Sequence, residues 1–311
     1  MSSRLSKLRA SLLANRLSII GFVVVGLFCV TAILTGVAGD RITPYRVFTT
    51  NYNYSNSNFP PSFSHPMGTG FNGVDIFSQV LVALPIDLGI PLLVVFISCV
   101  LGLVLGTIAG YFGGALDEAI MRLTDMFLAF PVLILALAVA ATLGPSLINV
   151  IISLTVTWWP PYVRLVRGQV LQISTEDFVA ISKSLNSSFS YILRRDILPN
   201  VLPSILVYAT LDVGTALLSL STLGFLNVGI PQNVPELGKM VSSISYNLYT
   251  YPWEAILPAL VVMVMVVGFS FLGEGLRESL DVSLRPHILF RKKRAEGSTG
   301  TAVPAQPELR P

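Results

Sequence analysis

A chain of 311 residues with 53% hydrophobic and only 12% charged residues lacks the composition of a soluble domain, in which about a quarter of residues are charged. Its formal net charge of +3 carries little information, but the placement of the charges does: no Lys or Arg falls between Arg46 and Arg122, or between Arg195 and Lys239. A soluble fold needs surface charge throughout, so these gaps exclude one and point to lipid as the solvent.

The chain opens with a basic segment, residues 1–16, carrying Arg4, Lys7, Arg9 and Arg16. The apolar stretch that follows, Leu17 to Val37 within residues 17–38, is about 20 residues long, enough to cross a bilayer core. A signal-peptide apolar region runs only about 7–15 residues, so this stretch reads as a retained first transmembrane helix. Residues 39–83 are polar and turn-rich, with Pro60-Pro61 and a glycosylation sequon at Asn53-Tyr54-Ser55, and suit an exposed irregular loop. Five further spans are expected near Leu84–Tyr111, Leu123–Leu143, Leu147–Val166, Val201–Val228 and Ala255–Leu276, in a core over residues 84–284. Residues 168–200 make a long loop between the fourth and fifth spans, and residues 229–251 another before the last. The tail, 285–311, is low in hydrophobics and reads as disordered.

Six spans put both termini on one side, and basic residues choose the side. With the N-terminus inside, only Arg41, Arg46 and Lys239 fall outside, and the other seventeen Lys and Arg fall inside. The chain is therefore an all-α polytopic membrane protein with an N-in, C-in topology. Cys29 and Cys99 lie in apolar runs without metal-ligand spacing, and read as plain buried or lipid-facing thiols.

Within the spans, Gly102, Gly106 and Gly110 recur every four residues, a spacing that lets two membrane helices approach closely. Pro131, Pro160, Pro161 and Pro203 interrupt backbone hydrogen bonds and permit kinks. Two acids fall among apolar residues. Asp87 is near the outer end, where interfacial solvation is expected. Asp212 is deeper, where it either lines a translocation path or pairs at a subunit interface.

The inside loop, 168–200, is longer than a connection requires. Ser174-Thr175-Glu176-Asp177 reads as a helix start, a hydroxyl cap followed three residues later by an acid. Phe178, Ile181 and Leu185 then form one apolar face, and Asn186 tolerates the left-handed conformation that ends a helix. A short amphipathic helix of this kind either lies on lipid or docks in a groove of a partner protein.

The run Asp177-Phe178-Val179-Ala180-Ile181-Ser182-Lys183-Ser184-Leu185-Asn186, then nine residues, then Asp196-Ile197-Leu198-Pro199, resembles the EAA loop of ABC importer permeases. Ala180-Ile181-Ser182 stands where the family has Glu-Ala-Ala, and Asn186 where it usually has Gly. Further matches run in order along the chain. His65-Pro66-Met67-Gly68-Thr69-Gly70 with Asp75 is similar to the HPLGTD signature and following Gly-Arg-Asp of the C-type subunit of dipeptide and oligopeptide permeases. Gly110-Tyr111-Phe112-Gly113-Gly114, Leu128-Ala129-Phe130-Pro131, Leu143-Gly144-Pro145-Ser146, Val166-Arg167-Gly168 and Leu272-Gly273-Glu274 continue it. The second outside loop, with Pro231, Pro235, Glu236, Gly238 and Met240, resembles a family segment that dips back towards the pore.

The resemblance implies a type I ABC importer transmembrane fold and a non-catalytic transport subunit in the cell membrane. It implies that Asp177, Phe178, Ala180, Ile181, Ser182, Leu185 and Asn186 form a coupling helix against an ATP-binding subunit. Its partners would be a B-type permease subunit, two ATP-binding subunits and an extracytoplasmic solute-binding protein, with lipid around it and no nucleic acid. ATP and Mg would bind those partner subunits, and this chain would hold no cofactor or metal. The sequence itself contains no GxxxxGK[ST] phosphate loop, and no HExxH or GxSxG for an intramembrane enzyme. An ion-coupled secondary transporter is the rival reading, and it would need an ionisable relay in the membrane. Among solutes, oligopeptides or dipeptides lead, with oligosaccharides or metal chelates as the alternatives.

Overall fold

Apolar runs surrounded by lipid become helices because the bilayer offers backbone N–H and C=O groups no other partners. The computed structural model describes residues 16–47, 54–243 and 248–298, with side chains up to position 279 except at 40. The N-terminal segment before Arg16, Asn53 of the sequon and the end of the tail lie outside the described residues. Helix α1 spans Arg16–Ala38, α2 Ile76–Phe112, α3 Gly114–Leu128 and α4 Val132–Leu143. After these come α5, Leu147–Ser174; α6, Asp177–Ser184; and α7, Phe189–Ile192. A π-helical turn, Leu193–Ile197, leads into α8, Leu198–Phe225. The short α9, Leu237–Ser242, and the long α10, Pro252–Ser298, are the last of the described helices.

Four helical stretches are long and apolar enough to cross a bilayer: α1, α2, Phe189–Phe225 and Pro252–Ser279. The bent pair α3–α4 makes a fifth. The span expected at Leu123–Leu143 is thus not one straight helix. Its two halves meet at 85°, because Pro131 supplies no N–H and disfavours a helical residue before it. The sixth stretch expected to span, Leu147–Val166, lies in α5, which is not among the helices apolar enough by themselves to cross a bilayer; it is enclosed by its neighbours, with Leu154, Tyr162, Val166 and Val170 all fully buried. It keeps both Pro160 and Pro161 inside the helix.

Small residues set how closely the bundle closes. A β-carbon on Gly106 would sit 2.7 Å from Val166 Cβ, and one on Gly110 would sit 2.9 Å from Val170 Cβ. Gly102 abuts Tyr162 in the same way, one turn further along both helices. These three glycines form one face of α2 seated on α5. On the other side of the bundle α1 lies along α10, where a β-carbon on Gly21 would meet the Leu272 backbone nitrogen at 2.5 Å.

The outer segment before α2 is more ordered than an irregular loop. Asp75 caps α2 by accepting from the Ser78 backbone N–H at 2.8 Å and from its hydroxyl at 2.7 Å, and its other oxygen lies 2.9 Å from His65 Nδ1. Tyr45 stacks on the His65 ring, with centroids 4.5 Å apart. The His-Pro-Met-Gly-Thr-Gly run and Asp75 are therefore two halves of one turn built on the start of α2. Gly68 takes a φ of +77° there and sits against the Trp253 indole, so no β-carbon fits.

Candidate functional site

The cytoplasmic face is organised around α6. Its N-terminus does not use the expected hydroxyl cap: Glu176 is the N-cap residue and makes no side-chain cap bond. Thr175 instead donates its hydroxyl back to the Gln172 carbonyl at 2.8 Å, which closes α5, and α5 itself runs on to Ser174. The C-terminus ends as the sequence suggests. Asn186 adopts φ +55°, the Ser187 N–H reaches the Ser182 carbonyl at 3.1 Å, and the Asn186 N–H reaches Lys183 at 2.9 Å. That bond pair is the Schellman arrangement.

One face of α6 packs on this chain and the opposite face is exposed among the described residues. Val179 is fully buried, whereas Phe178, Ile181 and Leu185 are 43%, 60% and 75% exposed. Asp177 and Ala180 are exposed beside them, and Ser182 is half-buried. The helix is fastened on its own side by aromatic contacts. Lys183 Nζ lies 5.1 Å from the centroid of the Tyr111 ring, and Phe189 packs on Tyr111 and Phe112 at 4.7 and 5.0 Å. Tyr111 and Phe112 are the last residues of α2, so α6 touches the inner end of one membrane helix while it continues directly from another, α5.

Two ion pairs fix the inner end of α5 to α3. Arg167 binds Asp117 through two parallel bonds of 2.5 and 2.6 Å, and Arg164 lies 2.6 Å from Asp125. A paired guanidinium and carboxylate of this geometry orients as well as attracts. The pairs bridge 39 and 50 positions, so nothing local in the sequence joins them.

Halfway along α8, the carboxylate of Asp212 accepts two hydrogen bonds on the same oxygen, from Trp158 Nε1 and from Tyr162 Oη, each 2.8 Å. Both donors stand on α5. Tyr208, one turn before Asp212, meets the Tyr162 ring edge-on at 5.0 Å. Neither aromatic donor was legible as an Asp212 partner in the sequence.

Asp87 departs from the expectation of interfacial solvation. It is fully buried, and its Oδ2 accepts from the Leu237 N–H at 3.3 Å. Its carboxyl faces that of Glu236, which is also fully buried and caps α9 through the N–H groups of Gly238 and Lys239 at 2.9 and 2.7 Å. Gly238 abuts the Ser221 backbone and Gly224 abuts the Glu236 carboxyl, so the segment around α9 is inserted between the outer parts of α8 and α2. Burial pushes the Glu236 carboxyl above the usual glutamate range, partly offset by its backbone hydrogen bonds.

No cluster of metal-ligating side chains occurs among the described residues. Residues 102–286 match the family of binding-protein-dependent transport system inner membrane components, and the chain belongs to that family. It is similar to the dipeptide transport system permease protein DppC of Alkalihalophilus pseudofirmus, 36% identical over 271 residues, covering 87% of both chains. The glutathione transport system permease protein GsiD of Escherichia coli O157:H7 is 37% identical over 260 residues, covering 83% of this chain and 85% of that one. Among solved structures, the fold is similar to an inward-facing form of the MetNI methionine ABC transporter, with a TM-score of 0.54 at 19% identity, over 66% of this chain and 97% of that one. An amino acid ABC transporter crystallised with histidines gives a TM-score of 0.51 at 17% identity, over 64% and 92%. The chain is therefore a multi-pass, non-catalytic permease subunit with the type I importer fold.

Proposed function

We propose that this chain forms half of the translocation pathway of an ATP-driven importer for dipeptides, oligopeptides or a similar small solute. In this reading α6 is the coupling helix. Phe178, Ile181 and Leu185 enter a groove of an ATP-binding subunit, flanked by Asp177, Ala180 and Ser182, with Asn186 ending the helix. The observation that carries the reading is the split of α6 into a buried side at Val179 and an apolar side that no described residue of this chain covers. Closure of the ATP-binding subunits would then move α6, and with it the inner ends of α5 and α2.

The assembly would contain a second, B-type permease subunit, two ATP-binding subunits holding ATP and Mg, and an extracytoplasmic solute-binding protein, all in a lipid bilayer. The dipeptide and glutathione systems of the relatives support a peptide-like solute. Reconstituted in proteoliposomes with those partners, the complex should accumulate a dipeptide only when ATP and the binding protein are both supplied. Uptake that follows a proton gradient and ignores ATP would overturn the reading in favour of ion coupling.

A further inference from the structure

Asp212 stands in a polar stripe of which its bonds to Trp158 and Tyr162 explain only one end. Tyr208, Asp212, Thr215, Ser219 and Thr222 follow at helical spacing on α8 and, at 100° per residue, fall on one narrow face. Thr215 is exposed and the other four are partly exposed, while the opposite face, including Val213, Leu217 and Leu220, is buried in the bundle. Thr215, Ser219 and Thr222 thus point away from this chain's own core, while Tyr208 and Asp212 stand at its edge against Tyr162 and Trp158 of α5. Hydrocarbon is an unfavourable neighbour for such a face, because two hydrogen bonds on one oxygen leave the other carboxylate oxygen unsolvated there.

Acceptors predominate on the outward part of the stripe. Ser219 gives its hydroxyl proton to the Thr215 carbonyl at 3.1 Å, and Thr222 gives its own to Leu218 at 2.7 Å. Each hydroxyl then offers outward only its lone pairs. Asp212 is held by two donors on Oδ2, and no described residue donates to Oδ1. Tyr208 adds a partly exposed aromatic ring one turn away. A carboxylate, a ring and a row of acceptors together suit a donor-rich cation.

We propose that this face of α8 lines the water-filled pathway and that Asp212 is a station for a protonated amine on the passing solute. Trp158 and Tyr162 are its positioning residues. The proposal rests on the importer reading above, and it narrows the solute to one carrying an ammonium group, such as a peptide with a free amino terminus.

The test uses the assembled complex in nanodiscs, with Cys29→Ser, Cys99→Ser and Thr215→Cys. Rates of modification by a trimethylammonium-ethyl and by a sulfonatoethyl methanethiosulfonate reagent are compared, each normalised to its rate with free cysteine. The cationic reagent should be favoured about tenfold or more by the charged cleft. That preference should vanish in Asp212→Asn and return in Asp212→Glu, a pair that separates loss of charge from loss of folding. No reaction in the assembled complex, or reaction only after the permease subunits are separated, would place the stripe at a subunit interface and overturn the proposal. A preference unaffected by Asp212→Asn would also overturn it. ATP-dependent uptake by the unmodified complex tests the importer reading separately, so the two can fail independently.

Discussion

Gly106 of α2 and Val166 of α5 approach so closely that a β-carbon on the glycine would lie 2.7 Å from Val166 Cβ. Gly102 and Gly110 make equivalent contacts with Tyr162 and Val170, so the interface is a ladder of three rungs, each one turn apart on both helices. Lipid tails are as apolar as the helices, so close packing rather than water exclusion holds such a pair together. Gly106→Leu should therefore separate α2 from α5 and cost about 1–3 kcal/mol through overpacking. A lowered midpoint in thermal unfolding of the purified complex checks this; an unchanged midpoint would mean that the ladder does not set the helix spacing.

The Arg167–Asp117 pair should orient the inner end of α5 against α3. Both side chains are less than a third exposed, so removing either partner should cost about 1 kcal/mol and reduce ATP-driven uptake. The exchange Arg167→Asp with Asp117→Arg should recover part of the loss. Failure of the exchange to do better than the single changes, in stability and in uptake, would assign the pair no orienting role.

At the outer side, Glu236 and Asp87 face each other inside the protein. Two buried carboxyls can bond to each other only while one holds a proton. Glu236 is pushed above its unfolded value by burial, so its contribution is fully present below the unfolded pKa and is lost as pH rises through the folded one. Lys239, the nearby cation, is occupied by the carbonyls of Pro231, Gln232 and Val234. Raising the pH through that window should loosen the segment around α9, read as faster proteolysis or thiol labelling of a cysteine introduced at Gln232. Asp87→Asn, which bonds without a shared proton, should flatten the pH profile; an identical profile in the variant would contradict the shared-proton account.

Much of this architecture was legible because lipid simplifies the reading. The charge gaps marked the helices, and the four-residue spacing of Gly102, Gly106 and Gly110 marked a close helix contact before any partner helix could be named. Asn186 was readable as a helix end because few residues tolerate its positive φ. What could not be read were choices made by tertiary contacts. Ser174 and Thr175 had the chemistry of a helix cap, yet Ser174 became the last residue of α5 and Thr175 its C-cap, and Glu176 took the position. Pro131 announced an interruption but not a turn of 85°. Asp87 lay near the outer end of its span, and only the insertion of α9 shows that Leu237 and Glu236, about 150 positions away, exclude water from it. The Trp158 and Tyr162 bonds to Asp212 are invisible for the same reason.

The central claim is that α6 is the contact through which an ATP-binding subunit drives the membrane helices. Its most direct test is co-purification of that subunit with the double variant Phe178→Glu, Ile181→Glu. Both side chains are exposed and Val179 is left in place, so the permease should still fold and insert. The account predicts that affinity for the ATP-binding subunit falls roughly 30-fold or more, as for loss of a central apolar anchor, and that uptake stops. Unchanged co-purification and uptake, with a correctly inserted permease, would contradict it.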